Sequence, residues 1–382
     1  MEQPFISLDF GSGQISAVLS VYDEQTLSCR VRHALREPCP SVNGCYILDF
    51  DKTVRCLNKI FSQLQEYVDF TPTISVGLRG DFLSFRRSGG FKAIESKDQI
   101  ITAKDLHEVL DNSVPTNLSE TLEVVDLLAQ SYTIDGNTGV QNPVGLQGNC
   151  LEAETFLSLG LKTHLNNLNR VLAAAGCEDF EAVPTILALA HQVLKPEEKK
   201  ASLLLLDIGA QNSSALLYHK GVIEAAWEIP QGADIVAQEV AEVLQNDLSE
   251  AKALLKDYTY GDDEVMDDLL DEAGAKLLQT LRKSLILEPR YVKYAPSLVV
   301  LTGGGSGLHV KNAAQKALGV RRAKLAGLDH LIADGEEMLA SQYTSALALA
   351  LHSQQHGGRK LSSPKEKASG LFDRMLSKLG LN

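Results

Sequence analysis

Leu8-Asp9-Phe10-Gly11-Ser12-Gly13, which follows the apolar Phe5-Ile6-Ser7, ends a buried-strand pattern on an aspartate and a glycine turn. The pattern returns at Leu206-Asp207-Ile208-Gly209, after Ser202-Leu203-Leu204-Leu205. A third glycine cluster, Leu301-Thr302-Gly303-Gly304-Gly305-Ser306-Gly307, closes the run Leu298-Val299-Val300. Glycine at the end of such a strand lets backbone amides approach an anion with no Cβ in the way. A lone copy is ordinary turn chemistry. Three copies, the first two headed by aspartate, predict two related lobes closing on one nucleotide.

The 382 residues are enough for about two to three domains with cores of their own. Hydrophobic content of 44% and charged content of 22% are those of a soluble globular protein. A formal net charge of −13 argues against nucleic acid as the main partner. Cys29, Cys39, Cys45, Cys56, Cys150 and Cys177 form no C-x-x-C pair and no zinc spacing, and read as buried or incidental thiols of a reducing compartment. Met1-Glu2-Gln3-Pro4 lacks the basic region of a signal peptide. No apolar run reaches the ~20 residues that span a bilayer. A cytosolic protein is expected.

Working outward, 1–80 reads as the first part of one lobe, with strand arms around a Tyr22-Asp23-Glu24 turn, a helix from Thr53 to Tyr67 and a strand at 73–78. Residues 81–158 change character and read as an inserted α+β subdomain. In it, Phe82, Leu83, Phe85 and Phe91 lie in short extended pieces broken by Ser88-Gly89-Gly90. A helix at 102–111 and strands at Val124–Leu128 and Tyr132–Ile134 follow. The first lobe resumes over 159–197. The second lobe takes 198–225 and 298–351 around a helical subdomain at 226–297. Residues 352–363 read as a flexible tether.

The last stretch, 364–382, is separable. Ser363-Pro364-Lys365-Glu366 matches a capping box with proline at the first helical position. At roughly 100° per residue, Leu371, Phe372, Met375, Leu376 and Leu379 share one face, opposite Asp373, Arg374 and Ser377, with Lys378 at the margin. Such a helix either docks on the protein's own core or lies in a membrane interface. The polar tether favours the membrane, with Leu371, Phe372, Arg374, Met375, Leu376, Lys378 and Leu379 as its contacts.

Asp9-Phe10-Gly11-Ser12-Gly13, Asp207-Ile208-Gly209 and Leu301-Thr302-Gly303-Gly304-Gly305 resemble the phosphate-1, phosphate-2 and adenosine motifs of the actin-like ATPase superfamily. Within it the chain resembles the bacterial cell-division FtsA family over nearly its whole length. The segment from Tyr132 to Leu146, with Leu151-Glu152-Ala153-Glu154, is similar to the inserted subdomain of FtsA, which actin and MreB lack at this place. Ile229-Pro230-Gln231-Gly232-Ala233-Asp234-Ile235 resembles the opening of FtsA's fourth subdomain.

The resemblance implies an α/β, actin-like (ribonuclease H-like) two-lobe fold with an inserted α+β subdomain and a C-terminal amphipathic helix. It implies ATP between the lobes, contacted by Gly11, Ser12, Gly13, Gln14, Gly209, Ala210, Gln211, Asn212, Gly303, Gly304 and Gly305. Asp9 and Asp207 would hold Mg2+ through water. The implied partners are further copies in a filament, the C-terminal tail of FtsZ, an anionic membrane surface and other division proteins. The implied place is the inner face of the cell membrane at the division site.

Several positions depart from the family pattern. Gln14 stands where FtsA usually has a phosphate-facing lysine, which removes a charge-assisted contact. Ala210-Gln211-Asn212-Ser213-Ser214 replaces a glycine- and threonine-rich second loop. Ala237 replaces a threonine, and Leu255 falls near the usual ribose-contacting lysine, with Lys252 and Lys256 close by in sequence. Phosphoryl transfer depends on positioning and charge, so these losses hurt catalysis more than binding. At most a weak ATPase is expected, acting mainly as a scaffold, and no residue is assigned to catalysis. Arg282, Lys283, Arg290 and Lys293 suit an acidic tail and equally suit a solvated helix face. Two alternatives share the fold: a PilM-like adaptor of type IV pilus assembly, and a sugar or acetate kinase. The kinase lacks a clear acidic base beside the phosphate turns.

Overall fold

The computed structural model describes residues 3–23, 28–67, 72–328, 331–339, 341–356 and 359–360. The membrane helix expected at 364–382 lies outside them.

The strand carrying the first glycine turn, β1 (Gln3–Phe10), pairs antiparallel with β2 (Ser12–Asp23), which pairs with β3 (Ser28–Asn43). β4 (Tyr46–Ile47) adds a short pairing to β3. Leu8, Phe10, Ile15, Ala17 and Leu19 are fully buried and share a core with Leu57, Ile60 and Leu64 of α1 (Phe50–Gln65). The Asp49 carboxylate caps that helix by accepting the amide of Lys52. β5 (Thr73–Leu78) then lies parallel to β1.

The inserted subdomain has a sheet of its own. β6 (Leu83–Ala93), α2 (Ala103–Asp111), β7 (Leu122–Ile134), β8 (Asn137–Val140) and β9 (Cys150–Leu161) give the antiparallel order β6-β9-β7-β8. β6 runs straight through Ser88-Gly89-Gly90, where a break was expected. Gly90 admits a helix: a Cβ there would stand 1.8 Å from the Val109 carbonyl of α2. β7 is likewise one strand where two were expected, with register shifts at Val124/Asp126 and Ala129/Ser131 keeping it in the sheet.

The chain returns to the first lobe through α3 (Lys162–Ala174), β10 (Glu181–Pro184), α4 (Thr185–Val193) and α5 (Pro196–Lys199). The second lobe opens with β11 (Leu203–Ile208), β12 (Ser213–His219) and β13 (Val222–Ile229). A helical subdomain of α6 (Asp234–Leu244), α7 (Leu248–Asp257), α8 (Glu264–Leu285) and α9 (Pro289–Lys293) follows. Last come β14 (Leu298–Thr302), α10 (Leu308–Leu318), β15 (Arg322–Leu325), β16 (Ile332–Ala333), α11 (Thr344–His356) and β17 (Arg359–Lys360).

The two main sheets are wired alike. The first runs β3-β2-β1-β5-β10, extended by β16 and β17 at its edges, and the second runs β13-β12-β11-β14-β15. In each, three antiparallel strands precede two parallel ones. The helices α4 and α11 fill the space between the lobes. Ile186, Leu189 and Ala190 of α4, with Ala348 of α11, pack with Leu203, Leu205, Leu216 and Val300 of the second sheet. A Cβ on Gly77 of β5 would stand 2.5 Å from Leu349 and 2.6 Å from Thr185, so glycine there lets both helices close on the strand.

α11 continues to His356 and β17 pairs with β10, so the described residues of the tether expected at 352–363 lie in regular elements. Residues that read as linker composition are held inside the fold: Ser353 Oγ donates to Ser75 Oγ (2.7 Å) and Gln354 Nε2 to Ser20 Oγ (2.9 Å). No described helix is long and apolar enough to cross a membrane.

Candidate functional site

All three glycine clusters open on one cleft between the lobes, with a cavity of about 360 Å³. That volume lies at the lower end of small-molecule sites. The first lobe contributes Asp9, Gly11, Ser12 and Gln14 to its walls. The second contributes Asp207, Gly209, Ala210 and Asn212, and the turn Gly303-Gly304-Gly305. Gly13 and Gln211 belong to the same two turns but do not line the cavity.

The two phosphate-type turns have one geometry. The Gly11 amide donates to the Gln14 carbonyl at 2.9 Å, and the Gly209 amide donates to the Asn212 carbonyl at 2.9 Å. Gly13 sits at φ +75°, which favours glycine; Gln211 has no such constraint. The second turn is stitched to the start of α6, because the carbonyls of Gly209 and Ala210 accept the amides of Ala233 (2.9 Å) and Asp234 (2.8 Å). Helix N-terminal amides suited to an anion are thereby spent on protein. The third turn is packed as tightly. Gly303 is at φ +90°, and a Cβ there would stand 2.4 Å from Asp207 Oδ1. A Cβ on Gly304, in contrast, would meet nothing within 4 Å.

The residue that dominates the site was not singled out in the sequence. Arg79, directly after β5, places Nε 3.2 Å from Asp9 Oδ1 and Nη2 3.1 Å from Asp207 Oδ2. The same Nη2 donates to Ser345 Oγ at 2.9 Å. The Arg79 side chain is only 9% exposed and that of Asp207 2%. Burial pushes the Asp207 carboxyl upward, and the guanidinium beside it opposes that rise. The signal was present: a charged residue at the carboxyl end of a buried parallel strand, where α/β folds gather ligands.

Two further bridges cross the cleft. The Gly80 amide donates to Glu228 Oε2 (3.0 Å), which also accepts from Ser214 Oγ (2.9 Å). Burial above all pushes the Glu228 carboxyl up to about 8. Asn43 Oδ1 accepts from Ser12 Oγ (3.1 Å) and from Asn212 Nδ2 (2.7 Å), joining the two phosphate-type turns through one side chain. Asn43 lies far from every motif, and Glu228 stands one residue before the Ile229–Ile235 stretch without belonging to it.

These residues do not fit a divalent metal. Asp9 and Asp207 are spanned by a guanidinium, and Asp207 Oδ1 is walled by Gly303. Among the described residues no three acidic, histidine or cysteine side chains stand together for a metal. Mg2+ is ordinarily held by one or two carboxylates together with waters and substrate phosphates, and here the place between the two carboxylates is taken by the guanidinium. The phosphate assignments are weakened too, since the Ser12 hydroxyl is engaged by Asn43 and the Gln14 side chain folds back over Gly11. The adenosine turn keeps its room at Gly304. Lys252 pairs with Asp234 at 2.8 Å, Leu255 packs on the second lobe's core, and neither Lys252 nor Lys256 lines the cleft.

The fold is that of the actin-like proteins. The chain shares its fold with the solved PilM–PilN type IV pilus biogenesis complex, at TM-score 0.63 and 17% identity over 92% of this chain and 98% of that one. It also shares it with MreB5 of Spiroplasma citri bound to ADP, at TM-score 0.50 and 12% identity over 92% and 96% of the two chains. Within that class the chain is FtsA-like. Residues 80–158 match the model of the SHS2 domain inserted in FtsA. The cell division protein FtsA of Enterococcus hirae is 26% identical over 341 residues, 83% of this chain and 76% of that protein. FtsA of Bacillus subtilis is 24% identical over 270 residues, 70% of this chain and 61% of that protein.

Proposed function

We propose that the chain is a division scaffold of the FtsA type. It assembles into filaments and holds the C-terminal tail of FtsZ at the inner face of the cytoplasmic membrane at the division site, where further division proteins join it. The observation that carries this reading is the match of residues 80–158 to the FtsA insertion, placed between β5 and α3 of an actin-like lobe. The insertion is braced against the other lobe: Arg87 pairs with Glu224 at 2.6 Å, and Gln130 exchanges two hydrogen bonds with the backbone of Ile223. A braced domain suits a fixed contact surface in a filament.

An adenine nucleotide between the lobes is a structural ligand in this reading, with weak or no hydrolysis. The open space over Gly304 supports the adenosine side of that site. The apolar face of 364–382 supplies a marginal anchor per copy, and assembly multiplies it. The test is binding of an FtsZ tail peptide to the full chain, together with co-sedimentation on anionic liposomes. Loss of sedimentation on deleting 364–382 supports the anchor, and an unchanged pellet refutes it.

A PilM-like adaptor is the second reading, favoured by the fold match to the PilM–PilN complex. It would dock a peptide of an inner-membrane protein and ignore the FtsZ tail, so the same peptide experiment separates the two.

A further inference from the structure

We infer that Arg79 is the resident cation of this cleft: its guanidinium takes the place of a divalent metal between Asp9 and Asp207 and clamps the two lobes without Mg2+. The inference rests on the geometry of the cleft and stands whether or not the division role does.

Two carboxylates from different lobes face each other in a nearly closed space, and each needs a positive partner. In this chain the partner is covalently attached. Nε lies 3.2 Å from the first lobe's aspartate and Nη2 3.1 Å from the second's, as charge contacts outside hydrogen-bond geometry, and Nη2 donates its hydrogen bond to Ser345 Oγ. A guanidinium does not lose its proton in a protein, so the bridge cannot be switched off by deprotonation. Unlike a metal ion, it is not diluted away when the surrounding concentration falls. Two hydrogen bonds, from Gly80 to Glu228 and from Asn212 to Asn43, join the same lobes.

The remaining nitrogen defines what the cleft can take. Nη1 faces the second turn, 3.9 Å from where a Cβ on Gly209 would stand, and Arg79 lines the cavity. A phosphate oxygen arriving over Gly209 meets that N–H directly. The ligand class is therefore a phosphate-bearing anion held as the free anion rather than as its magnesium complex.

The experiment uses the full chain in three arms. ATP is titrated calorimetrically in millimolar Mg2+ and again in EDTA. Equal affinity supports the inference, and binding about tenfold or more tighter with Mg2+ overturns it. Should ATP bind in neither buffer, the free-anion ligand class and the nucleotide part of the proposed function both fail, while the clamp is judged by the other two arms. In the second arm, Mn2+ paramagnetic resonance is recorded on the parent protein. Free Mn2+ is expected; bound Mn2+ that disappears in Asp9→Asn overturns the clamp. In the third arm, Arg79→Gln and Arg79→Lys are melted with and without Mg2+. A fall of about 5 °C or more in Arg79→Gln, partly recovered by Mg2+, is expected. Parent-like melting of Arg79→Gln overturns the clamp. Failure of Arg79→Gln to fold while Arg79→Lys folds and stays insensitive to Mg2+ supports it.

Discussion

In the first lobe β1 lies parallel to β5 with Asp9 opposite Gly77; in the second β11 lies parallel to β14 with Asp207 opposite Thr302. The wiring is the same, and so is the hydrogen bond that closes each glycine turn. Two residues past Gly77 comes Arg79, and two residues past Thr302 comes Gly304. The position that fills the cleft with a charge in one lobe leaves open space in the other. A duplicated backbone thus supports asymmetric chemistry, with the cation delivered from one side and room kept on the other.

The comparison breaks most visibly at Arg79. Arg79→Ala leaves two buried carboxylates facing one another and should cost about 3–5 kcal/mol in denaturant unfolding. A smaller effect comes from Gly303→Ala, which places a Cβ against Asp207 at φ +90°. About 1–3 kcal/mol is expected from the same measurement.

Glu228 sharpens the comparison through pH. Its folded value of about 8 lies above the ordinary 4.5, so its neutral form is the one the fold favours. The contribution to stability is full below the ordinary value and is lost as pH rises through about 8. Glu228→Gln should therefore flatten the decline between those values, by up to roughly 1.4 kcal/mol per pH unit. Parallel pH profiles for variant and parent would refute that. The smallest effect belongs to Gly304→Ala, expected to change stability by less than about 0.5 kcal/mol while narrowing the adenosine side of the cleft. A shifted ATP affinity without a shifted melting temperature is the expected pair of results.

The duplicated plan was legible because it is written locally, as apolar runs ending in an aspartate and a glycine. β5 is legible at its observed bounds, Thr73–Leu78. The misses share a cause. Gly89 and Gly90 read as a strand break because nothing nearby in sequence shows that α2 presses on Gly90. Ser353 and Gln354 read as linker because their partners, Ser75 and Ser20, lie more than 270 residues away. The turns of Asp9 and Asp207 likewise do not reveal that Arg79 arrives between them. Each is a tertiary contact overriding a correct local cue.

β13 is the outer strand of the second sheet, and outer strands carry backbone groups that recruit strands from other copies. Gln130 answers this at Ile223, where its side-chain carbonyl and amide take the backbone N–H and C=O as a neighbouring strand would. One glutamine from the inserted subdomain thus acts as a stopper on an adhesive rim. The backbone N–H and C=O of Ile223 are thereby already occupied on that rim.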